Sequence, residues 1–191
     1  MVKRARQLVS LLGLGLLILL VRMRQPDPSP PAAIHPPTGS LPDAGTFAAI
    51  TGRVSFVADG DSFEMHTEAG QTVRVRMFGI DAPEKGQDHS NRAREALMAR
   101  IHRRRIEVRV IETDSYGRFV GEVFRDGVSI NRAMVADGWA WHYARYSNDP
   151  ALAQAERAAR ADRRGLWRGR QPVPPWEWRR RHPASPRQAK P

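Results

Sequence analysis

The sequence predicts an α+β fold, mainly β, built as a five-stranded OB-type barrel with three helices. Three observations carry that expectation. Apolar and polar residues alternate in five short runs between Ala49 and Phe124, the period of a half-buried strand. Apolar residues at helical spacing interrupt the runs once, after the third, and follow them twice. No internal repeat is present, so one small barrel is favoured over a tandem array.

The predicted strands are Ala49–Val57, Ser62–Thr67, Thr72–Met77, Ile106–Thr113 and Phe119–Phe124. Glu68-Ala69-Gly70-Gln71 joins the second to the third as a hairpin, with Gly where a positive φ is needed. Tyr116-Gly117 marks the turn between the fourth and fifth. The first helix is expected over Asn91–Arg104, with Ala93, Ala96, Leu97 and Ile101 on one face. Arg103-Arg104-Arg105 then reads as a solvated helix terminus that complements the dipole. A second helix follows Ser129, a good N-cap, and stops at Gly138, with Ile130, Ala133 and Met134 on one side. Asp149 and Pro150 open the third, which is expected to run through Leu152, Ala155 and Ala159 to Gly165.

Flanks surround this middle. The 191 residues suffice for one domain plus appendages, and 41% hydrophobic content is compatible with a packed core. The expected organisation is a signal peptide or signal-anchor over 1–24, a Pro-rich linker over 25–45, the folded domain over 46–168 and a basic tail over 169–191. Lys3, Arg4 and Arg6 precede an apolar run from Leu8 to Val21, which reads as an export signal. Fourteen residues at ~1.5 Å each span roughly 21 Å, short of a hydrocarbon core of about 30 Å. Arg22 and Arg24 stand where a cleavage site would be small and neutral, which favours an uncleaved anchor. The folded domain is then expected outside the cytoplasm, in a bacterial periplasm, or secreted if the segment is cleaved.

The formal net charge is +11, and it comes wholly from the ends. Residues 1–24 carry five basic side chains and no acid, and residues 168–191 carry seven against Glu177 alone. Between them the charges balance, so net charge argues neither for nor against a site in the middle. With no cysteine, disulfides and thiolate metal sites are excluded. The six histidines show no His-x-x-x-His pair, which argues against zinc.

Carboxylates are the first candidates for chemistry. Asp59-Gly60-Asp61 lies between the first two strands, and Asp81 and Glu84 follow the third. Acids at neighbouring strand ends can converge, and hard oxygen donors that converge favour Ca²⁺ or Mg²⁺. Asp-Gly-Asp is also an ordinary turn sequence, and the residues alone leave both readings open. Arg76, in the third strand, and Arg118, after the Tyr-Gly turn, suit a phosphate or simple pairing with nearby acids. Trp139, Trp141, Tyr143 and Tyr146 suit base stacking or core packing equally. Arg179-Arg180-Arg181, after Pro-Pro-Trp-Glu-Trp, suits an anionic membrane, an extended nucleic-acid surface or a solvated tail.

Together these residues are more specific than any one of them. Asp59-Gly60-Asp61-Ser62, Arg76-x4-Asp81-Ala82-Pro83-Glu84, Asp114-x-Tyr116-Gly117-Arg118 and Gly165-Leu166-Trp167 closely resemble the staphylococcal nuclease (thermonuclease) family in order and spacing. The resemblance spans about Thr51 to Trp167 and implies the family's five-stranded OB barrel with three helices. It also implies a calcium-dependent endonuclease that hydrolyses phosphodiester bonds in DNA, RNA or both, leaving 3′-phosphates.

Position by position, the resemblance makes Asp61 and Asp81 the calcium carboxylates, and Ala82 the residue whose backbone carbonyl joins them. Arg76 and Arg118 become the catalytic arginines, Glu84 the residue that orients or deprotonates water, and Asp59 a supporting acid. Tyr116, Tyr143 and Tyr146 are the expected substrate contacts. In the family's best-known member a threonine stands at Ala82 and a lysine at Ser115, and one nucleotide-contacting tyrosine falls near Ala144 rather than Tyr143. Nucleic acid is the expected substrate, a membrane the expected partner of the apolar segment, and a monomer the expected state. A catalytically silent OB module that binds single strands is the alternative.

Overall fold

The computed structural model describes residues 48–169 and 171–183. The expected signal segment and linker lie outside the described residues. Among those described, no helix is long and apolar enough to cross a membrane.

Five strands close the barrel: β1 (Ala48–Val57), β2 (Ser62–Thr67), β3 (Thr72–Met77), β5 (Arg105–Thr113) and β6 (Phe119–Arg125). Between them in sequence lie the two-residue β4 (Ile80–Asp81) and α1 (Ser90–Ile101), and β7 (Val128–Ser129) extends β6 as a short hairpin. The order β3-β2-β1-β5-β6 is antiparallel throughout, and parallel pairing of Val75–Met77 with Phe119–Gly121 closes it. Closure leaves the barrel strands without a free edge. After β7 come α2 (Ile130–Ala136), β8 (Trp141–His142), α3 (Pro150–Ala161), a 3-10 turn over Gly165–Arg168, and α4 (Pro175–Arg181).

The alternation predicted for the strands is what the barrel uses. In β3, Val75 and Met77 are buried while Arg74 and Arg76 share the other face. Inside, Phe63, Met65, Val108 and Val123 meet Leu97 and Ile101 of α1, and Met134 and Val135 of α2. Leu97 is fully buried, so truncating it to Ala would cost about 2–5 kcal/mol. Trp141, Ala159, Leu166 and Trp167 form a second cluster, against which Trp176 packs. Trp141 meets Trp167 edge to face at 5.4 Å, so it belongs to the core rather than to a base-stacking surface. Ser129 and Asp149 cap α2 and α3 as expected, accepting the Arg132 and Ala151 N–H groups.

Three expectations need correction. The first helix ends at Ile101, so the arginine triplet is a turn into β5 rather than a helix terminus. Arg103 takes φ 58°, its N–H donates to the Val54 carbonyl, and its carbonyl accepts the Arg53 guanidinium. The third helix stops at Ala161, and Gly165 opens the separate 3-10 turn with φ 51°. Finally, the described residues hold four α-helices, because Pro175–Arg181 coils on the domain rather than standing apart as a tail.

Candidate active site

Asp61 reaches the site because Gly60 lets its loop press onto the protein. A Cβ at Gly60 would lie 2.7 Å from the Ala82 Cβ and 2.8 Å from the Ala93 Cβ. The glycine is needed for close approach, since it is not among the positive-φ residues. The loop is tied down further by the Asp61 N–H, which donates to Asp59 Oδ1 at 3.0 Å. Asp61 itself accepts the Ala82 N–H at 2.6 Å on Oδ2 and the Ser62 hydroxyl at 3.0 Å on Oδ1. The Asp-Gly-Asp sequence is thus more than a turn.

Asp81 is delivered by a different device. The pairing of β4 with β8 sets it opposite Trp141, and it is only 1% exposed. Arg76 fastens the intervening bend: its Nη1 donates to the Met77 and Ile80 carbonyls at 2.9 and 3.0 Å. Its Nη2 lies 3.0 Å from Asp81 Oδ1 and 3.2 Å from Asp61 Oδ2. One guanidinium nitrogen therefore draws together two carboxylates twenty residues apart. Buried Asn131 supports the same bend, donating to the Phe78 carbonyl at 2.8 Å while accepting the Val123 N–H at 2.9 Å.

Glu84 lies beside Asp81, and a residue that sequence reasoning missed holds it there. Arg179 of α4 places Nη2 2.9 Å from Asp81 Oδ2 and Nη1 3.2 Å from Asp81 Oδ1, and Nη1 also engages Glu84 Oε1. Burial opposes charge on Arg179, but the hydrogen bonds it donates to the Asp81 and Glu84 carboxylates outweigh that and push its pKa up. A helix signal was present in the sequence: Pro175 at the first turn, Glu177 early, and Arg179–Arg181 in the last turn.

The cluster holds more negative charge than its arginines neutralise. Burial first, and then the charge of Asp61, push the Asp59 carboxyl up to about 7. Burial also lifts Asp81 to about 6, against the pull of Arg179 and Arg76. Four carboxylates stand against two guanidiniums, an electrostatic setting that favours a further cation. Among the described residues no group of three or more His, Cys, Asp or Glu side chains is arranged to hold a metal. The donors on offer are the carboxylates of Asp61 and Asp81 with the Ala82 carbonyl. That hard-oxygen set fits Ca²⁺ if water and substrate oxygens complete the shell.

The remaining predicted residues stand outside this network. Arg118 is committed to Asp114, with Nε 2.8 Å from Oδ2. Burial raises the Asp114 pKa, but hydrogen bonds from the Arg118 backbone and side chain more than reverse this. Arg118 precedes Phe119, which pairs with Val75, so it stands at the strand next to Arg74 and Arg76. Its terminal nitrogens make no hydrogen bond among the described residues. Tyr116 is 72% exposed, with the Arg118 guanidinium 5.5 Å from its ring centroid. Tyr143 and Tyr146 touch edge to face at 4.8 Å, and Trp176 of α4 lies flat on Tyr143 at 5.2 Å.

Comparison with known proteins identifies the family. Residues 74–169 match a family model described as Staphylococcal nuclease homologue. The matched stretch holds Arg76, Asp81, Glu84 and Arg118, and excludes both Asp61 and Arg179. A protein of Escherichia coli O157:H7 named as an uncharacterized endonuclease is 41% identical over 135 residues, covering 70% of this chain and 88% of its own. The probable staphylococcal-like nuclease CAN1 of Oryza sativa subsp. japonica is 38% identical over 134 residues, 68% of this chain and 40% of that protein. An uncharacterized endonuclease of Haemophilus influenzae is 35% identical over 130 residues, 68% of this chain and 73% of its own. Fold, site and relatives together place the chain in the staphylococcal nuclease family.

Proposed function

We propose that the protein is a calcium-dependent endonuclease that hydrolyses phosphodiester bonds in DNA, RNA or both. The observation that carries this reading is the convergence of Asp61 and Asp81 on one nitrogen of Arg76, with Glu84 alongside. Carboxylates so packed repel one another, and a phosphate-directed site with a cation is the chemistry that uses them.

Asp61, Asp81 and the Ala82 carbonyl would hold calcium, which supplies Lewis-acid polarisation of the phosphate and a fixed seat for it. Glu84 orients the attacking water and accepts its proton as oxygen bonds to phosphorus. The bond from phosphorus to the 5′ oxygen breaks, solvent protonates the departing oxygen, and the other product keeps a 3′-phosphate. Arg76 and Arg118 donate to the phosphoryl oxygens as charge builds there. Arg118 has two terminal nitrogens to offer, whereas Arg76 keeps only Nε beyond its present partners. Tyr116 and Tyr146, both exposed, suit stacking on loosened or single strands. The apolar Leu8–Val21 segment would tether the domain outside the cytoplasm, as a monomer.

The test is cleavage of labelled single-stranded DNA and RNA by the purified full-length protein, in calcium, magnesium or EDTA, with Arg118→Ala alongside. Calcium-dependent cutting that the variant loses, with 3′-phosphate ends, supports the proposal. Intact substrate under every metal sinks it, and binding that a chelator leaves unchanged would then favour the silent OB module.

A further inference from the structure

The C-terminal segment touches the site at three points, two of them at residues expected to serve the reaction and the third at a neighbour of Glu84. Arg179 engages both Asp81 oxygens and Glu84. Trp176 covers one face of Tyr143 at an interplanar angle of 3°. The Val173 carbonyl accepts the Gln87 side-chain amide at 2.6 Å. Gln87 is 6% exposed, and its own side-chain carbonyl accepts the Glu84 N–H at 3.0 Å.

Two of these ties converge on Glu84. Its side chain is held by Arg179, and its backbone is held, through Gln87, by the segment that carries Arg179. Glu84 needs such support because it lies past β4, between two elements that leave it outside regular structure. Its carboxylate has no hydrogen-bond partner among the described residues other than Arg179. The segment is itself anchored, with Pro175 buried and Trp176 packed on the Trp141–Trp167 cluster. A carboxylate that must take a proton from one particular water depends on a neighbour to fix its rotamer.

We propose that Arg179 is a positioning residue of the nuclease site, delivered by the C-terminal helix, which holds the Glu84 carboxylate beside Asp81 for its work on water. The proposal rests on the nuclease reading above. It predicts that an arginine outside the span matched to the family model governs the chemical step rather than substrate capture.

The experiment uses the full-length protein with calcium and single-stranded DNA, comparing wild type with Arg179→Ala, Arg179→Lys, Glu84→Gln and the Glu84→Gln/Arg179→Ala double variant. Misplacing a catalytic group by about an ångström costs roughly 100-fold, so Arg179→Ala should lower kcat by that order with KM little moved. Lysine, which can meet one carboxylate but not bridge two, should restore part of the rate. In the Glu84→Gln background, Arg179→Ala should cost nothing more, because the two residues act as one unit. Calorimetric calcium titration of Arg179→Ala should show undiminished or tighter binding, since a positive charge has left Asp81.

Several results would overturn the proposal. Unchanged kcat in Arg179→Ala beside an active wild type removes the role and leaves the nuclease reading intact. A rate increase with tighter calcium binding makes α4 a strap that competes with the cation. A loss in the double variant equal to the sum of the single losses separates Arg179 from Glu84. Should Arg179→Ala fail to fold by circular dichroism, Arg179→Lys and Arg179→Gln carry the same comparison. An inactive wild type defeats the nuclease reading and this one together.

Discussion

Replacing Asp59 by Asn should stabilise the calcium-free protein, and the gain should depend on pH. The carboxyl titrates at about 7 in the fold against an ordinary 3.8, through burial first and the charge of Asp61 second. The folded state therefore holds a proton that the unfolded state releases. Stability is full below the unfolded value and falls as pH rises towards the folded value, beyond which the loss is complete. At ~1.36 kcal/mol per pH unit over that interval, the ceiling of the loss is about 4 kcal/mol. Asn stays neutral at every pH and keeps the Oδ1 that accepts the Asp61 N–H at 3.0 Å. Urea unfolding in EDTA, followed by tryptophan fluorescence, should show a gain below about 1 kcal/mol at pH 4. It should grow to between about 1 and 4 kcal/mol at pH 8. Saturating calcium should shrink the gain, because a cation favours the carboxylate. A gain that is equal at both pH values, or a loss at pH 8, refutes the account of the site as over-supplied with buried negative charge.

Three further substitutions address the scaffold. Arg76→Ala strands Asp61 and Asp81 without their shared partner; it should cost about 3–5 kcal/mol at pH 8 by chemical denaturation and reduce cleavage at least about 100-fold. The stability penalty should narrow at pH 5, where Asp81, with its pKa at about 6, is protonated. Asn131→Ala orphans the Val123 N–H and the Phe78 carbonyl, at about 1–3 kcal/mol for each buried group; hydrogen exchange at the Val123 amide should report it. Gly138→Ala places a Cβ 2.4 Å from the Arg164 carbonyl oxygen on a backbone at φ 75°; thermal melts should show a loss of at least about 2 kcal/mol.

The barrel was legible because its strands obey period two. Val73, Val75 and Met77 against Arg74 and Arg76 mark a face before any partner is known, and the five predicted runs match the five barrel strands to within a residue or two. What periodicity missed are pieces too short to have a period. The pairs Ile80–Asp81 and Trp141–His142 are strands only because each finds the other across sixty residues. Helix ends went astray for a related reason. The first helix stops at Ile101 because Arg103 and Arg104 hydrogen-bond with β1, a long-range bond that competes with one more helical turn and leaves no local mark.

The site shows the same division. Acid pairs and arginines at strand ends suggest phosphate chemistry, and the structure brings Asp59, Asp61, Arg76, Asp81 and Glu84 into one network, while Arg118 stands apart with Asp114. Trp141 could not be assigned from sequence, since an aromatic between two helices serves core and ligand alike until its neighbours are known. The charge distribution was the deeper trap. A balanced middle with an excess of +11 at the ends invites the separation of a neutral catalytic domain from basic appendages. That division follows the chain rather than space. The four carboxylates at the site contribute to the balance of the middle, but the arginine that answers two of them is counted with the tail. A charge sum over a sequence window measures a site only when the fold keeps that window together, and here Arg179 crosses from the far end to Asp81 and Glu84.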